Sequence, residues 1–376
     1  MGETVKTTAK LLPAGKSGIR RFLNADRVAV LAVVVAYAVV AILVYTGSAT
    51  RQLMNMLISV SCYIVLALSL NLVVGLLGEL SLGHAGFMSV GLFSGCTVAV
   101  LLHDTLPVII CLPLSMIVGG LAAALVGLLV GLPALRLRGD YLAIVTLACG
   151  EIIKNIITNL DIDGTPLRGA LGIDTSSMRM SPTELLPYAI VLVLVTMLVI
   201  MNFKRSKHGR AIMAIRDNRI AAEATGVNVT YYKLMVFVLA SLFAGMAGVL
   251  YGYSLPTTEA SLFDYNMSIE ILVIVVLGGM GNLGGSIIAA IILRVLPEAL
   301  RDFSDYRMLA YSILLIGIML LSENKQFKAW KSQVSLGSLW NQVRAKFRKK
   351  TPAVATADAV AEEPNHTDSP KGGDGQ

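Results

Sequence analysis

Three carboxylates, Glu79, Glu151 and Glu270, stand in or beside apolar runs, where an unpaired charge in hydrocarbon would cost several kcal/mol. Glu151 falls within YLAIVTLACGEIIKNIITNL, and Glu270 in the first turns of another apolar run. Glu79 joins Ser81 and His84 in GLLGELSLGHAGF (Gly75–Phe87). Groups of this kind either line a watery path, where a carboxylate can hold an ammonium group or a coupling ion, or are neutralised by a neighbour. For Glu151 the neighbour is Lys154, one helical step away, and that spacing favours the paired arrangement. Other chemistry fails on spacing. KLLPAGKS (Lys10–Ser17) has lysine where a phosphate-binding loop needs its first glycine, so no nucleotide site is expected. Cys62, Cys96, Cys111 and Cys149 are far apart within apolar runs and read as reduced core residues. His103, His208 and His366 fall in a turn, a basic loop and the tail, and His84 has no metal-ligand spacing around it. Neither a metal nor a cofactor is expected, and no reactive constellation is visible.

The polar groups near Glu79 sit among glycines, and a second glycine cluster mirrors them. Gly78 and Gly83 interrupt the first segment; Gly278, Gly279, Gly281, Gly284 and Gly285 interrupt the second, GGMGNLGGS (Gly278–Ser286). The same G-x-L spacing occurs at Gly78–Leu80 and Gly281–Leu283, which implies two similarly placed helix breaks. Non-helical backbone at membrane depth is tolerated only where protein or a watery cavity satisfies its polar groups, and transporters hold substrate at such breaks. The alternative for the first break is a short turn at the inner face with Glu79 solvated. Both readings stand.

The elements that must position these groups are transmembrane helices. Of 376 residues, 55% are hydrophobic and 15% charged, and the mean hydropathy is +0.72, far above an ordinary soluble domain. Runs long enough to cross a hydrocarbon core occupy 28–46, 53–76, 85–102, 107–131, 141–160, 185–203 and 234–253. Three shorter runs, 267–280, 286–299 and 308–322, read as tilted, broken or re-entrant helices. The fold class is therefore an all-α polytopic membrane protein with about ten membrane-spanning or partly spanning helices. The first run is too long for a signal peptide and lacks a small-residue cleavage site, so it is expected to remain as an anchor.

Charge orients the chain. Residues 1–27 carry six lysines and arginines against Glu3 and Asp26, and the loop 204–233 carries seven against Asp217 and Glu223. Both are expected on the cytoplasmic side. The loops 161–184, net acidic, and 254–266, with only Glu259 and Asp264, fall outside. Parity puts both termini inside. The basic balance, net +7, is thus explained by topology without nucleic acid. The N-terminal tail is 1–27 and the membrane domain 28–322; within 323–350 apolar residues recur at helical steps between cations, as in a helix lying on anionic lipid. Residues 351–376 have too few large apolar groups to fold and read as disorder.

Within the loop 204–233, Asn218 suits an N-cap, Arg219–Thr225 can make about two alanine-rich turns, and Gly226 suits the left-handed position that ends them. Thr230 is placed to cap the next span. A solvated connector that only sets topology needs none of these signals.

Four segments carry a family resemblance in order and spacing: NLVVGLLGELSLGHAGFMSVG, LRLRGDYLAIVTLACGEII, GRAIMAIRDNRIAAEATGVNVTYYKLMVFVLASLFAGMAGVLYG and SIEILVIVVLGGMGNLGGSIIAA. From about Leu53 to Leu321 the chain resembles the permease subunits of bacterial branched-chain amino acid ABC importers, the LivM type. It departs from that pattern at DIDGTPLRGALGI (Asp161–Ile173), where members commonly carry a Thr-Gly-Gly run, and in its long tails. The resemblance implies a bacterial inner-membrane importer of leucine, isoleucine or valine, built with a second related permease, two cytoplasmic ATPases and an extracytoplasmic binding protein. It also implies that the short helix around Ala221, Ala222, Glu223 and Gly226 docks in a groove of the ATPase, with Arg216, Asp217 and Asn218 adding polar contacts. A sister group imports urea or short amides, and an ion-coupled carrier using Glu79, Glu151 and Glu270 is the reading from another class. The basic inner loop argues against the carrier, which needs no docking surface.

Overall fold

A computed structural model describes residues 50–300, apart from 104, 106, 138, 162–164 and 179, together with Tyr37 and five positions between 309 and 317. The chain divides into two units, Met1–Lys328 and Ala329–Gln376, and every described residue belongs to the first. The tails 1–27, 323–350 and 351–376 lie outside the described residues, as do the first and last apolar runs except at those isolated positions.

The described chain is a helical bundle. Helix α1 (Arg51–Asn71) runs on through a π-helical segment (Leu72–Leu77), followed by α2 (His84–Leu102), α3 (Val108–Ala134), α4 (Asp140–Thr158) and α5 (Pro182–Arg205). Two short helices, α6 (Lys207–Asp217) and α7 (Arg219–Ala224), precede α8 (Val229–Ser254), and α9 (Tyr265–Gly278) and α10 (Leu283–Ala299) form a hairpin. The extended α1 and helices α2, α3, α4, α5 and α8 are the six that are long and apolar enough to cross a membrane. At 14 residues α9 is about 21 Å long, short of the roughly 30 Å of a bilayer core.

Helices α1, α5, α8 and α9 begin a little outside their apolar runs, each under a polar side-chain cap. Ser181 and Glu184 form a capping box that starts α5 at Pro182. Helix α8 starts at Val229 beneath Asn228, whose Oδ1 accepts from Tyr231 N at 3.1 Å; Thr230, the expected cap, lies inside the helix. The first half of the loop 204–233 is also a helix: α6 turns Gly209, Ile212 and Ile215 inward.

The core forms around α1, buried continuously from Val60 to Leu77, and around a crossing of α2, α3 and α8. That crossing depends on absent side chains. A Cβ on Gly91 of α2 would overlap the backbone of Gly245 in α8, and one on Gly245 would meet Gly119 O in α3 at 2.8 Å. Lipid offers apolar helices no solvent-driven reason to associate, so contact between backbones at small residues supplies much of the attraction.

At one end of the bundle a two-residue ribbon pairs β1 (Ile173–Asp174) with β2 (Thr257–Thr258), joining the two loops that carry the acidic residues. Thr175 fastens it by donating from Oγ1 to Pro256 O at 3.0 Å. Hydrogen bonds from Ser176 hold the Asp174 carboxyl below its usual range. At the other end lie α6, α7 and both glycine breaks.

Candidate functional site

The short helix α7 is built as its sequence implies. Asn218 Oδ1 accepts from Ala221 N at 3.1 Å, and the Arg219 guanidinium meets Glu223 Oε1 at 2.8 Å. At the C-terminus Gly226 N donates to Glu223 O at 3.0 Å and Val227 N to Ala222 O at 3.1 Å, a Schellman arrangement with Gly226 at φ +85°. Ala222 packs inward, while Ala221, Glu223, Ala224 and Gly226 are exposed. So is Ile220, at 80%, the most exposed large apolar side chain among the described residues. Ile220 stands exposed between Arg219 and Ala221 on an otherwise polar end of the bundle, and polar patterning alone did not single it out.

The two breaks, some two hundred residues apart in sequence, meet each other, and the first packs against α6. The first follows the π-helical segment, whose close is set by Gly78 in the left-handed region at φ +79°. The second turns at Gly279 and Gly281, at φ +89° and +80°. Gly75 lies against Gly281 so closely that a Cβ on Gly75 would overlap Gly281 N and Asn71 Oδ1. Asn71 joins the helices: its Oδ1 accepts from Gly281 N at 2.8 Å and its Nδ2 donates to Ser286 Oγ at 2.9 Å. Gly278 and Gly285 close the hairpin by direct backbone contact, since a Cβ on Gly278 would meet Ser286 Cα at 2.5 Å. Gly284 is in the first turn of α10.

Breaking a helix strands carbonyl oxygens, and cations from the basic loop reach both breaks. Arg216 Nη1 donates to Gly75 O at 3.0 Å, with Nε and Nη2 turned to Asp217 Oδ1 at 3.3 and 3.2 Å. Lys204 Nζ donates to Gly281 O at 3.3 Å. Arg216 also fills the space over Gly78, where a Cβ would meet its Cγ at 2.7 Å. The last turns of α5 and α6 are thus hydrogen-bonded to the two breaks. Nothing in the spacing of Arg216 or Lys204 distinguished them from the other basic residues of the loop.

The five candidate pathway residues have separate surroundings. Glu79 forms an ion pair with Lys233 of α8, which is 3% exposed, and its Oε2 has no hydrogen-bond partner among the described residues. Ser81 Oγ is likewise buried without one. His84 starts α2, buried, with Nε2 2.7 Å from Ser69 Oγ. Gly83, just before it, packs on Thr146 O of α4, where a Cβ would come within 2.5 Å. Glu151 pairs with Lys154 and accepts from Tyr265 N at 2.9 Å, placing a carboxylate at the start of α9. Glu270 is with Tyr63 and Arg294, well along α9 and α10 from the break. Among the described residues no group of three or more histidine, cysteine, aspartate or glutamate side chains could hold a metal ion.

A family described as "Branched-chain amino acid transport system / permease component" matches residues 52–322. The LivM permease protein of the high-affinity branched-chain amino acid transport system in Salmonella typhimurium is 37% identical over 304 residues, 73% of this chain and 70% of the relative. Its counterpart in Escherichia coli is 37% identical over 69% of this chain and 66% of its own length. The ribose import permease RbsC of Haemophilus influenzae is 24% identical over 81% of this chain and 95% of the relative. No solved structure matches.

Proposed function

The chain belongs to the branched-chain amino acid permease family, a family of transport components, and from that premise we propose that it forms part of the path by which an ATP-driven importer moves leucine, isoleucine and valine across the bacterial inner membrane. It is a multi-pass membrane protein. In the proposed assembly it pairs with a second related permease, receives substrate from an extracytoplasmic binding protein, and rests on two cytoplasmic ATPases, with both its termini on the ATPase side.

One observation carries the mechanism: α7 leaves Ile220 exposed while Arg216, three residues before Arg219 begins that helix, is hydrogen-bonded to the first glycine break. Closure of an ATPase dimer on ATP would displace α7. Short hydrogen bonds and backbone contacts transmit that displacement, because packed interfaces shift as units instead of yielding gradually. Arg216 carries the movement to Gly75 and Lys204 to Gly281, and Asn71 holds the two breaks in step. Hinging there would open or shut the helices beyond. Glu79 serves in this scheme as the buried partner that anchors α8 to the first break.

Co-expression with the two ATPases, the second permease and the binding protein is expected to give ATP-driven uptake of leucine, isoleucine or valine into vesicles, and the chain alone none. Uptake by the chain alone on a proton or sodium gradient would refute the reading, and ATP-driven uptake of urea in place of the amino acids would move the substrate to the sister group.

A further inference from the structure

Away from the glycine breaks, α1, α8, α9, α10 and the loop before α9 line a partly open cavity of about 300 Å³ that contains Glu270 and Arg294 among its lining. That volume is at the lower edge of the roughly 300–1,000 Å³ common for small-molecule sites. Its position follows from register. α10 runs antiparallel to α1, with Ser286 bonded to Asn71, Arg294 to Ser59 and Glu298 to Gln52. Arg294 is therefore about 17 Å along the helix from its start at the hairpin turn.

The two charges in the cavity are arranged unlike a closed ion pair. Arg294 Nε donates to Ser59 Oγ at 2.9 Å, and its guanidinium carbon lies 4.3 Å from the centre of the Tyr63 ring. The plane is held by these two contacts while Nη1 stops 3.8 Å from Glu270 Oε1. A charge-assisted hydrogen bond would close to about 2.7–2.9 Å. Glu270 Oε2 receives instead the Tyr63 hydroxyl at 3.3 Å. A half-buried opposite pair held at this loose spacing keeps hydrogen-bonding capacity on both sides that a ligand carrying both charges can take up. Leu262, Phe263 and Met267 supply an apolar wall beside it.

We propose that this cavity binds a free α-amino acid with an apolar side chain, as its zwitterion, with Arg294 taking the carboxylate, Glu270 taking the ammonium and the wall taking the side chain. The carboxylate meets the Nη groups that Ser59 leaves available, the ammonium meets Glu270, and each half-buried charge of this 3.8 Å pair gains a closer counter-charge. The hairpin α9–α10 then carries the amino acid at one level and the Lys204-bound turn at the other, so movement of the turn acts on the occupied site. The proposal rests on the permease reading for its physiological substrate, but the site's chemistry is testable without transport.

The test uses the full-length chain in native membrane vesicles, with Cys149→Ser as background because the other three cysteines are buried. A reporter thiol is introduced by Asn266→Cys, at an exposed lining position, or by Leu262→Cys as a second reporter. Leucine at ten times its dissociation constant is expected to slow maleimide labelling about tenfold, by occupancy alone. Leucinamide, which lacks the carboxylate, isocaproate, which lacks the ammonium, and urea are expected to leave the rate unchanged. Arg294→Gln is expected to abolish protection and Arg294→Lys to retain part of it. Absence of protection by leucine, equal protection by either half-charged analogue or by urea, or full protection in Arg294→Gln overturns the proposal. ATP-driven uptake by the wild-type assembly is measured in parallel. Protection without uptake would leave the site standing and remove the permease reading, whereas uptake without protection would remove the site alone.

Discussion

Replacing Arg216 with alanine removes the side chain that donates to Gly75 O at 3.0 Å and covers Gly78, while leaving α6, Asn218 and α7 in place. A hydrogen bond to a charged donor contributes about 1.5–3 kcal/mol. Arg216 is 41% exposed on its side chain, so water can replace part of that, and about 1–2 kcal/mol is the appropriate range here. If this bond transmits movement of α7 to the break, the lost energy appears as weaker coupling between ATP binding and the break, a factor of about 5–30 in the linked equilibrium. The assay is the number of leucine molecules taken up per ATP hydrolysed by the reconstituted assembly. ATP hydrolysis without the binding protein is expected to stay near wild type, stimulation by loaded binding protein to fall, and the uptake ratio to drop by that factor. Arg216→Lys keeps one donor and is expected to recover part of the ratio, which a general packing defect would not allow. Asp217→Asn removes only an exposed partner and is expected to change the ratio little. An unchanged ratio in Arg216→Ala, with normal membrane insertion, would refute the transmission of force through this residue.

Gly226→Val has no side chain to strike, but forces a β-branched residue to φ +85°, at a cost of about 1–2 kcal/mol, and is expected to fray α7 and lower substrate-stimulated ATP hydrolysis with insertion intact. Glu223→Lys breaks the pair with Arg219 and reverses the charge on the exposed face, and Ile220→Asp removes the apolar knob; both are expected to weaken ATPase co-purification, and normal retention of the ATPase would sink the docking assignment. Gly75→Ala places a methyl group into Gly281 N and Asn71 Oδ1, neither of which can withdraw, so it is expected to reduce thermal stability of the detergent-solubilised protein by more than the about 1–3 kcal/mol typical of overpacking. Lys233→Met leaves the Glu79 carboxylate buried and unpaired and is expected to cost about 3–5 kcal/mol, much of it recovered in the Glu79→Gln/Lys233→Met double variant; equal stability of single and double variants would show that the pair is not buried.

Much of the fold was legible residue by residue because the membrane simplifies the problem. A run such as 107–131 must be a helix to satisfy its own backbone in hydrocarbon, and α3 occupies Val108–Ala134. The same holds for α2 and α4, whose ends fall within two residues of their apolar runs. Where polar caps outrun hydrophobicity the boundary moved, as at Asn228, which starts α8 two residues ahead of the expected cap at Thr230. Helix α6 falls within the loop 204–233 and was not legible as a helix, because its polar face dominates its composition and its buried Ile212 and Ile215 are too few to announce a span. The Schellman turn at Gly226 was legible because cap, alanine run and glycine are neighbours in the chain.

The pattern of local signals also marks what the sequence by itself determined: apolar run length set the spans, cap residues set several ends, and glycines marked where helices stop. Those are interactions among residues a few positions apart, so their physics can be evaluated without knowing where the rest of the chain goes. Tertiary structure alone decided that Gly75 rests on Gly281, that Asn71 bridges to Ser286, that Arg216 and Lys204 reach carbonyls of the two breaks, and that Glu270 faces Arg294. Each of these joins residues far apart in sequence across distances of a few ångströms. Composition specifies that such groups need partners, and only the packing of helices against one another chooses which partner arrives.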